Sequence, residues 1–504
     1  MLSDKFFKHR KRILSMRPTS RKLITVVILS VFIILACAYS LIAPTFEGPD
    51  ENVHYRYVKS LLDSTLPRSE YLRSPPLYYA MAAGLLYFIN HPEKIEVTPR
   101  TKKRKGINRF RHRHEEIFPF SGTARAVHLL RLLSVVTGFF TLLVFYRIYR
   151  LVFADSPALT LTALSISAFL PKFTWMNSVM NNDSLVWLLS ALAIYFLIRF
   201  VQTENQIKYL ACSGFVTGLA IYTKVNALVI PFSVILFIFY YRKFALKSLL
   251  REGGVFCALT FIGGGWYLFH RIYLGINPDN LHFTSIFKLF TNASTAASIK
   301  YVDTATGFSR LLNGDFLYQR LIQMCWSYLG WHNITGPVFY DYIYSAVLVL
   351  ALTGLVASIF RHSDNKQIIP DKHIRVFFII MAIAMTVAML VYMYENGSGD
   401  ARYMFPALPA FVVLLLEGLS FYLNKQWKWL LAFLPVLMLL NNMALVKNMA
   451  KSYKHGFRKL MITEELRTTS SMYESPVKKV VIICMPFAAM SYPNTAIMLH
   501  TATG

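Results

Sequence analysis

The sequence predicts an all-α polytopic membrane protein. Its 504 residues are 55% hydrophobic and only 16% charged, a balance typical of membrane-embedded chains. Uncharged apolar runs recur along the chain, many of them close to the length that crosses a bilayer. The formal net charge of +27 fits basic cytoplasmic loops and anionic lipid headgroups better than nucleic acid, because most Lys and Arg residues lie between the apolar runs.

The apolar runs predict about eleven transmembrane helices in one domain over residues 23–446. The predicted spans are 23–43, 129–150, 157–175, 184–200, 208–223, 225–241, 252–272, 341–360, 375–394, 403–422 and 429–446. Residues 1–22 form a basic N-terminal segment. Residues 447–504 form a tail in which "VKKVVIICM" has the β-branched character of a strand, so a small additional domain is predicted there.

The distribution of basic residues predicts the direction of the spans. The run "PPLYYAMAAGLLYFIN" at 75–90 either crosses the membrane or lies flat in its interface. If it lies flat, most Lys and Arg residues of the short loops share the cytoplasmic side with the basic N-terminus; if it crosses, they are external. We therefore predict an interfacial helix at 75–90 within a long external loop, 44–128. A second external region covers 274–340, and the tail is external too.

Three polar features lie at predicted external ends of spans. In "APTFEGPDENVHYRYVKSL", Asp50 and His54 are four residues apart and share a face if a helix begins there; alternatively, Asp50 or Glu51 only caps that helix. In "PKFTWMNSVMNNDSLVW", Asp183 begins a span, where a simple helix cap is again the alternative. In "GLAIYTKVNALVIP", Lys224 occupies a tight turn between spans, although a lysine there also suits simple snorkelling to the interface.

The pattern excludes several function classes. Few ionisable residues fall at mid-depth in the spans, which argues against ion-coupled transport. The Gly-rich nucleotide motifs G-x-G-x-x-G and G-x-x-x-x-G-K-[ST] are absent, so a cytoplasmic nucleotide-dependent enzyme is disfavoured. The five cysteines show no zinc spacing. An activated donor is therefore expected to reach the site from the membrane.

Several stretches resemble the GT-C glycosyltransferases, polytopic enzymes that take a sugar from a polyprenyl-phosphate lipid. "RSPPLYYAMAAGLLYF" is similar to a segment of the protein-mannosyl and aminoarabinose transferase branch, and "GLAIYTKVNALVIP" to its tight turn. "SGDARYMFPALPAF" and "SYLGWHNITGP" are closest to an uncharacterised bacterial branch. The likeness covers roughly 20–425, and the order and sidedness of the motifs are more specific than any one of them.

The resemblance implies a GT-C-like bundle and roles for individual residues. It makes the first-loop acid Asp50, with Glu51 beside it, the candidate base or metal contact, and Asp183 the second acid. It places Lys224 at the carrier phosphate. This chain departs from the aminoarabinose branch at Ser74, where that branch has Lys, and Arg73 is the candidate replacement. Further candidates for substrate contacts are Arg402, His54 and His332.

The function expected from these features is glycosyl transfer at the outer face of a bacterial inner membrane. Asp50 takes the proton of the acceptor hydroxyl, and Asp183 orients the acceptor or shares a cation with Asp50. Lys224, with Arg402 or Arg73, holds the leaving phosphate. Mg²⁺ or Mn²⁺ at Asp50 and Asp183 suits paired carboxylates, but the sequence does not require a metal.

The sequence leaves open the identity of the acceptor and several competing functions. The basic run "RTKKRKGINRFRHRH" at 100–114 suggests an anionic partner, such as lipid headgroups or an acidic or phosphorylated glycan, against the alternative of a solvated loop. The acceptor itself is a glycan, a lipid or a protein. The competing functions are a flippase for lipid-linked glycans, a glycan polymerase or ligase of another fold, and a non-catalytic scaffold.

Overall fold

The structure is a computed structural model of a helical bundle, which confirms the predicted all-α class. It describes residues 18–63, 74–89, 109–110, 112, 114–203, 205–267, 309, 312–360, 368–369, 371–396, 399–423 and 425–469. The predicted strand in the C-terminal tail, the candidate Arg73 and most of the basic run at 100–114 lie outside these residues.

Fourteen of the helices in the described residues, together with one short hairpin, build the bundle around the site. The helices are α1 Pro18–Ile42, α2 Glu51–Leu62, α3 Leu77–Phe88, α4 Gly122–Val152, α5 Pro157–Phe169, α6 Pro171–Met176, α7 Asp183–Gln202, α8 Ile207–Ile221, α9 Val229–Tyr241, α10 Gly254–Gly264, α11 Val338–Phe360, α12 Lys372–Asn396, α13 Leu408–Phe421 and α14 Phe433–Thr469. The hairpin consists of β1 Tyr328–Leu329 and β2 Ile334–Thr335. A 3₁₀ helix, Ala401–Ala407, leads directly into α13.

The helices make the chain an integral membrane protein. Among the described residues, seven helical segments are long and apolar enough to cross a bilayer, and four shorter apolar helices accompany them. A helix lies at each of the eleven predicted spans, while the number that actually cross stays a prediction. Helix α3 has only 12 residues, so at ~1.5 Å per residue it is too short to cross ~30 Å of hydrocarbon. Its length agrees with the predicted interfacial position.

The helices differ from the predicted spans at two places. The span predicted at 157–175 is broken into α5 and α6, because Pro171 has no N–H to donate and the residue before a proline avoids the helical region. Leu170 accordingly adopts an extended conformation with ψ 114°. The last helix also runs on to Thr469, beyond the predicted end at residue 446.

Small residues allow the closest helix contacts. Helix α13 packs against α11, and a Cβ added at Gly418 would overlap the Ala351 carbonyl oxygen of α11. Helix α8 packs in the same manner against α10, where a Cβ at Gly218 would overlap the Thr260 carbonyl oxygen. Close backbone approach of this kind is how helices associate in lipid, where apolar side chains gain little from mutual burial.

The hairpin bends back over the turn that follows α1. Its strands pair antiparallel with Tyr328 opposite Thr335. At the tip, Gly330 and His332 both adopt positive φ, 60° and 63°. Trp331 Nε1 donates to the Phe46 carbonyl oxygen at 3.4 Å, which fixes the hairpin tip beside the first loop.

Candidate active site

A buried ion pair shapes the turn between α1 and α2. The side chains of Arg131 and Glu51 are both 0% exposed, and Arg131 Nη2 lies 2.7 Å from Glu51 Oε2. Arg131 also donates to backbone carbonyls at the end of α1, those of Ser40, Ala43 and Pro44. Glu51 accepts hydrogen bonds from the backbone N–H groups of Phe46 at 3.0 Å and Met180 at 2.9 Å. This pair therefore joins the first turn to the segment that leads into α7.

Asp50 lies at the tip of that turn and does not cap α2. Its backbone is left-handed, with φ 60°, and its side chain makes no capping hydrogen bond. Instead the carboxylate is 46% exposed, and its Oδ2 lies 3.0 Å from Arg402 Nη2. Burial raises the pKa of Asp50, but Arg402 and the other nearby charges outweigh that effect and lower the pKa below its usual range. The carboxylate is thus ionised and accessible.

Asp183 and Lys224 form the second part of the site. Asn181 caps α7 by accepting from the N–H groups of Asp183 and Ser184, so the Asp183 side chain is not needed as a cap. Its Oδ1 accepts from Lys224 Nζ at 2.5 Å. Asp183 is buried, whereas the Lys224 side chain is 21% exposed. Burial lowers the pKa of Lys224, and Asp183 partly offsets that shift.

Arg402 connects the two acids. Its Nη2 contacts Asp50, and its Nη1 lies 3.6 Å from Asp183 Oδ2. The guanidinium carbon also lies 5.3 Å from the centre of the Tyr403 ring, and Lys224 Nζ lies 4.9 Å from the same ring. We call Asp50, Asp183, Lys224 and Arg402 the acid–cation cluster. The structure brings these four predicted residues together at one end of the bundle.

Asp400 extends the cluster and was not predicted as a site residue. Its Oδ1 accepts from the Arg402 N–H at 3.1 Å and caps the 3₁₀ helix, Ala401–Ala407. Its Oδ2 lies 2.9 Å from Lys172 Nζ, 3.5 Å from His332 Nε2 and 3.6 Å from Arg402 Nε. We call Lys172, Asp400 and His332 the Asp400 branch. Burial alone would raise the pKa of Asp400, but Lys172 and the other partners hold it well below its usual range.

His54 lies beside Asp50 with its ring held by a tyrosine. Its Nδ1 is 2.8 Å from the Tyr79 hydroxyl of α3, and the two rings stack. Burial lowers the pKa of His54 to about 4 against the opposing effect of Asp50, and the positive charge of Lys224 adds to the lowering. The ring is therefore neutral at neutral pH and suits hydrogen bonding rather than charge pairing.

Glu51 lies apart from the acid–cation cluster. Its carboxylate is buried in the ion pair with Arg131, so the structure does not present it to a substrate. The structure therefore places the two adjacent acids differently: Asp50 is accessible at the cluster, and Glu51 holds the turn that carries it.

A divalent metal does not fit the cluster as it stands. The described residues contain no group of three or more His, Cys, Asp and Glu side chains that could hold a metal ion. The charge between the carboxylates of Asp50 and Asp183 is the Arg402 guanidinium, which contacts both.

The described part of the basic run folds back onto the protein. His112 Nδ1 lies 3.1 Å from Glu116, and its Nε2 lies 3.5 Å from Glu47. The backbone N–H of Arg109 donates to Glu47 at 2.6 Å, and the Arg109 guanidinium lies 4.7 Å from the centre of the Trp331 ring. At these positions, then, the run contacts the first loop and the hairpin rather than lying free in solvent.

One known family matches the middle of the chain. Residues 122–266 match the family described as Dolichyl-phosphate-mannose-protein mannosyltransferase. Enzymes of that description transfer a sugar held on a polyprenyl-type phosphate, so the predicted resemblance and the predicted enzyme class are both supported over this segment. A search of curated proteins found no match.

Three solved structures show a distant likeness. ArnT from Cupriavidus metallidurans in the apo state is 15% identical, over 80% of this chain and 60% of its own, with a TM-score of 0.43. The apo oligosaccharyltransferase of Archaeoglobus fulgidus is 12% identical, over 85% and 56%, with a TM-score of 0.45. The S. cerevisiae Pmt1-Pmt2 protein O-mannosyltransferase complex bound to the sugar donor is 16% identical, over 55% and 36%, with a TM-score of 0.37. The chain thus spans less than two thirds of the length of each of the three.

Proposed function

We propose that this chain is a membrane glycosyltransferase that moves a sugar from a polyprenyl-phosphate carrier to an acceptor at the outer face of the membrane. The observation that carries the proposal is the accessible Asp50 carboxylate, 3.0 Å from an arginine that also contacts Asp183. The family match over 122–266 supports the donor class. The outer-face orientation is inferred from the basic N-terminus and the basic short loops.

Glycosyl transfer requires that an acceptor oxygen bond to the anomeric carbon of the sugar while the bond from that carbon to the phosphate oxygen breaks. Asp50 accepts the proton of the acceptor hydroxyl, which as general base catalysis is typically worth about 10²–10⁴-fold. The bonding electron pair leaves with the phosphate. Lys224 and Arg402 stabilise the negative charge that develops on that oxygen.

Binding of the donor also changes the base strength of Asp50. In the free chain, Arg402 and Lys224 lower the pKa of Asp50 and make its carboxylate a weak base. A phosphate group bound by these two cations offsets their charge, which restores proton affinity to Asp50. Base strength thus rises when the donor is in place. Asp183 keeps Lys224 oriented through its 2.5 Å contact.

Asp50→Asn is the experiment that tests the proposal. The asparagine keeps the size of the side chain but cannot take the proton, so we expect transfer to fall by at least about 100-fold with expression retained. Transfer is measured by mass spectrometry of surface glycans and lipid-linked sugars in cells with and without the chain. The matched control is Asp63→Asn, an exposed acid at the other end of α2.

The result separates the competing functions. A glycosyltransferase leaves an accumulated lipid-linked sugar in Asp50→Asn cells, and that sugar identifies the donor. A flippase defect instead leaves the lipid-linked glycan on the cytoplasmic face, where added membrane-impermeant glycosidase does not reach it. Wild-type transfer by Asp50→Asn would assign the base to another residue.

A further inference from the structure

The Asp400 branch is a built arrangement that the transfer chemistry above does not use. Asp400 is buried, and its Oδ2 is shared by Lys172, Arg402 and His332. Lys172 is fully buried, and its Nζ also donates to the Tyr328 carbonyl oxygen of β1 at 3.3 Å. The lysine therefore fixes the hairpin and the carboxylate relative to each other, next to the acid–cation cluster.

The hairpin tip holds His332 in an unusual backbone conformation. Its φ is 63°, in the left-handed region that residues other than glycine rarely adopt. Asn333 supports this turn, because its Oδ1 accepts from the Trp331 N–H at 3.0 Å. Such backbone strain, of order 1–3 kcal/mol, persists where the surroundings enforce it, and it is concentrated at functional sites.

The ring of His332 has one nitrogen held and one available. Nε2 faces Asp400 at 3.5 Å, and the side chain is 36% exposed. The structure shows no partner for Nδ1 among the residues it describes. A carboxylate at Nε2 favours the tautomer with its proton there, which leaves the Nδ1 lone pair as an acceptor. Burial, with Lys172 and Arg320, lowers the pKa of His332 against the opposing effect of Asp400, so the ring is neutral at neutral pH.

We propose that His332 is a further substrate-contacting residue, whose Nδ1 accepts a hydrogen bond from a hydroxyl group of the donor sugar or of the acceptor. Asp400 and Lys172 are its positioning residues. This inference rests on the proposed glycosyl transfer and adds a contact to a hydroxyl, distinct from the phosphate contacts of Lys224 and Arg402. A hydroxyl group suits this position because it donates to a neutral imidazole, whereas a phosphate without a proton does not.

Two substitutions at His332 separate a substrate contact from a structural one. The amide oxygen of His332→Asn can take the place of Nδ1, and asparagine tolerates positive φ, but the contact with Asp400 is lost. The longer amide of His332→Gln can reach Asp400, but nothing takes the place of Nδ1. We expect transfer in cells to fall about 10-fold in His332→Gln and by less than about 3-fold in His332→Asn. A structural role through the contact with Asp400 predicts the reverse order, and a structural role through the positive φ predicts a lower melting temperature for His332→Gln than for His332→Asn.

Binding measurements identify which hydroxyl is contacted. The full chain in lipid nanodiscs is titrated with a polyprenyl phosphate, and separately with the lipid-linked sugar extracted from cells that lack the chain. We expect polyprenyl phosphate to bind His332→Gln and wild type equally. Weaker binding of the lipid-linked sugar alone assigns the contact to the donor sugar. Unchanged binding of both lipids, with reduced transfer, assigns it to the acceptor.

The outcomes also distinguish this inference from the proposed function. If Asp50→Asn abolishes transfer while both His332 variants transfer as wild type, the His332 contact is refuted and the enzyme stands. If Asp50→Asn has no effect, the proposed base itself fails. Should His332→Gln not fold, His332→Gly replaces it, since glycine suits the turn and has no side chain; full transfer by that variant refutes the contact.

Discussion

Replacing Arg131 tests whether the buried ion pair with Glu51 holds the turn that carries Asp50. The side chains of Arg131 and Glu51 are both 0% exposed, and Arg131 donates two charge-assisted hydrogen bonds to Glu51, each at 2.7 Å. Arg131→Met leaves the Glu51 carboxylate buried without its cation and frees three backbone carbonyls at the end of α1. Breaking one side of a buried pair typically costs about 3–5 kcal/mol of unfolding free energy.

The size of the expected effect can be measured by thermal unfolding of the purified chain in lipid nanodiscs. We expect Arg131→Met to lower the melting temperature by about 5 °C or more. Glu51→Gln should cost less, because the glutamine oxygen still accepts from a backbone N–H. The double variant, Glu51→Gln with Arg131→Met, should be more stable than the sum of the two losses predicts, since neither charge is then left unpaired.

The control for this series is Arg147→Met, an exposed arginine farther along the same helix. It should melt as wild type does. If Arg131→Met also melts as wild type does, the buried pair does not hold the turn, and the position of Asp50 must depend on other contacts.

Three further predictions concern pH and packing. In the pH profiles, the acid limb of kcat should lie at higher pH than the acid limb of kcat/KM. The reason is that bound donor phosphate offsets the charge of the cations that lower the pKa of Asp50 in the free chain. Acid limbs at the same pH would contradict this coupling. Burial lowers the pKa of His112, but Glu116 and Glu47 outweigh it and raise the pKa to about 9, above its ordinary 6.5. The protonated ring therefore contributes its full stabilisation below pH 6.5. About 3 kcal/mol of the free energy of unfolding should be lost as the pH rises from 6.5 through 9. The unfolding free energy of His112→Gln should lack this pH dependence. Gly418→Ala should cost about 1–3 kcal/mol by forcing α13 away from α11, whereas Gly84→Ala, with open space at its Cβ, should melt at or slightly above the wild-type temperature.

Much of the helical architecture could be predicted because it depends on local properties. Apolar runs and their flanking charges are readable along the chain, and a helix lies at every predicted span. The break at Pro171 was missed because the run of apolar residues continues through it, and hydropathy takes no account of a missing N–H donor. Hydropathy does not show the full length of α14 for a related reason: the helix continues after its apolar character ends.

The site was only partly predictable. Asp50, Asp183 and Lys224 stood out because each lies beside the end of a predicted span, and the predicted topology puts these ends on one side of the membrane. Asp400 was overlooked although it stands two residues before Arg402; an Asp-x-Arg pair directly before an apolar run was the signal available in the sequence.

The separate functions of the adjacent acids could not be read from sequence. Asp50 and Glu51 have the same charge, and either could have faced the substrate. The difference arises from Arg131, which is distant in sequence and reaches the turn only after α4 packs against α1. Pairing between such distant residues depends on the three-dimensional packing of helices, which hydropathy and spacing do not specify.

The four side chains of the acid–cation cluster differ in their exposure to solvent. Asp183 and Arg402 are buried, whereas the Asp50 side chain is 46% exposed and that of Lys224 is 21% exposed. Of the four residues, then, an acid and a cation are the most exposed, and the buried pair, Asp183 and Arg402, lies between them. A proton acceptor at one end and a phosphate contact at the other are what transfer between an acceptor hydroxyl and a sugar phosphate requires. The buried pair fixes the spacing of these two groups, and a fixed spacing lets one site act on both bonds at once.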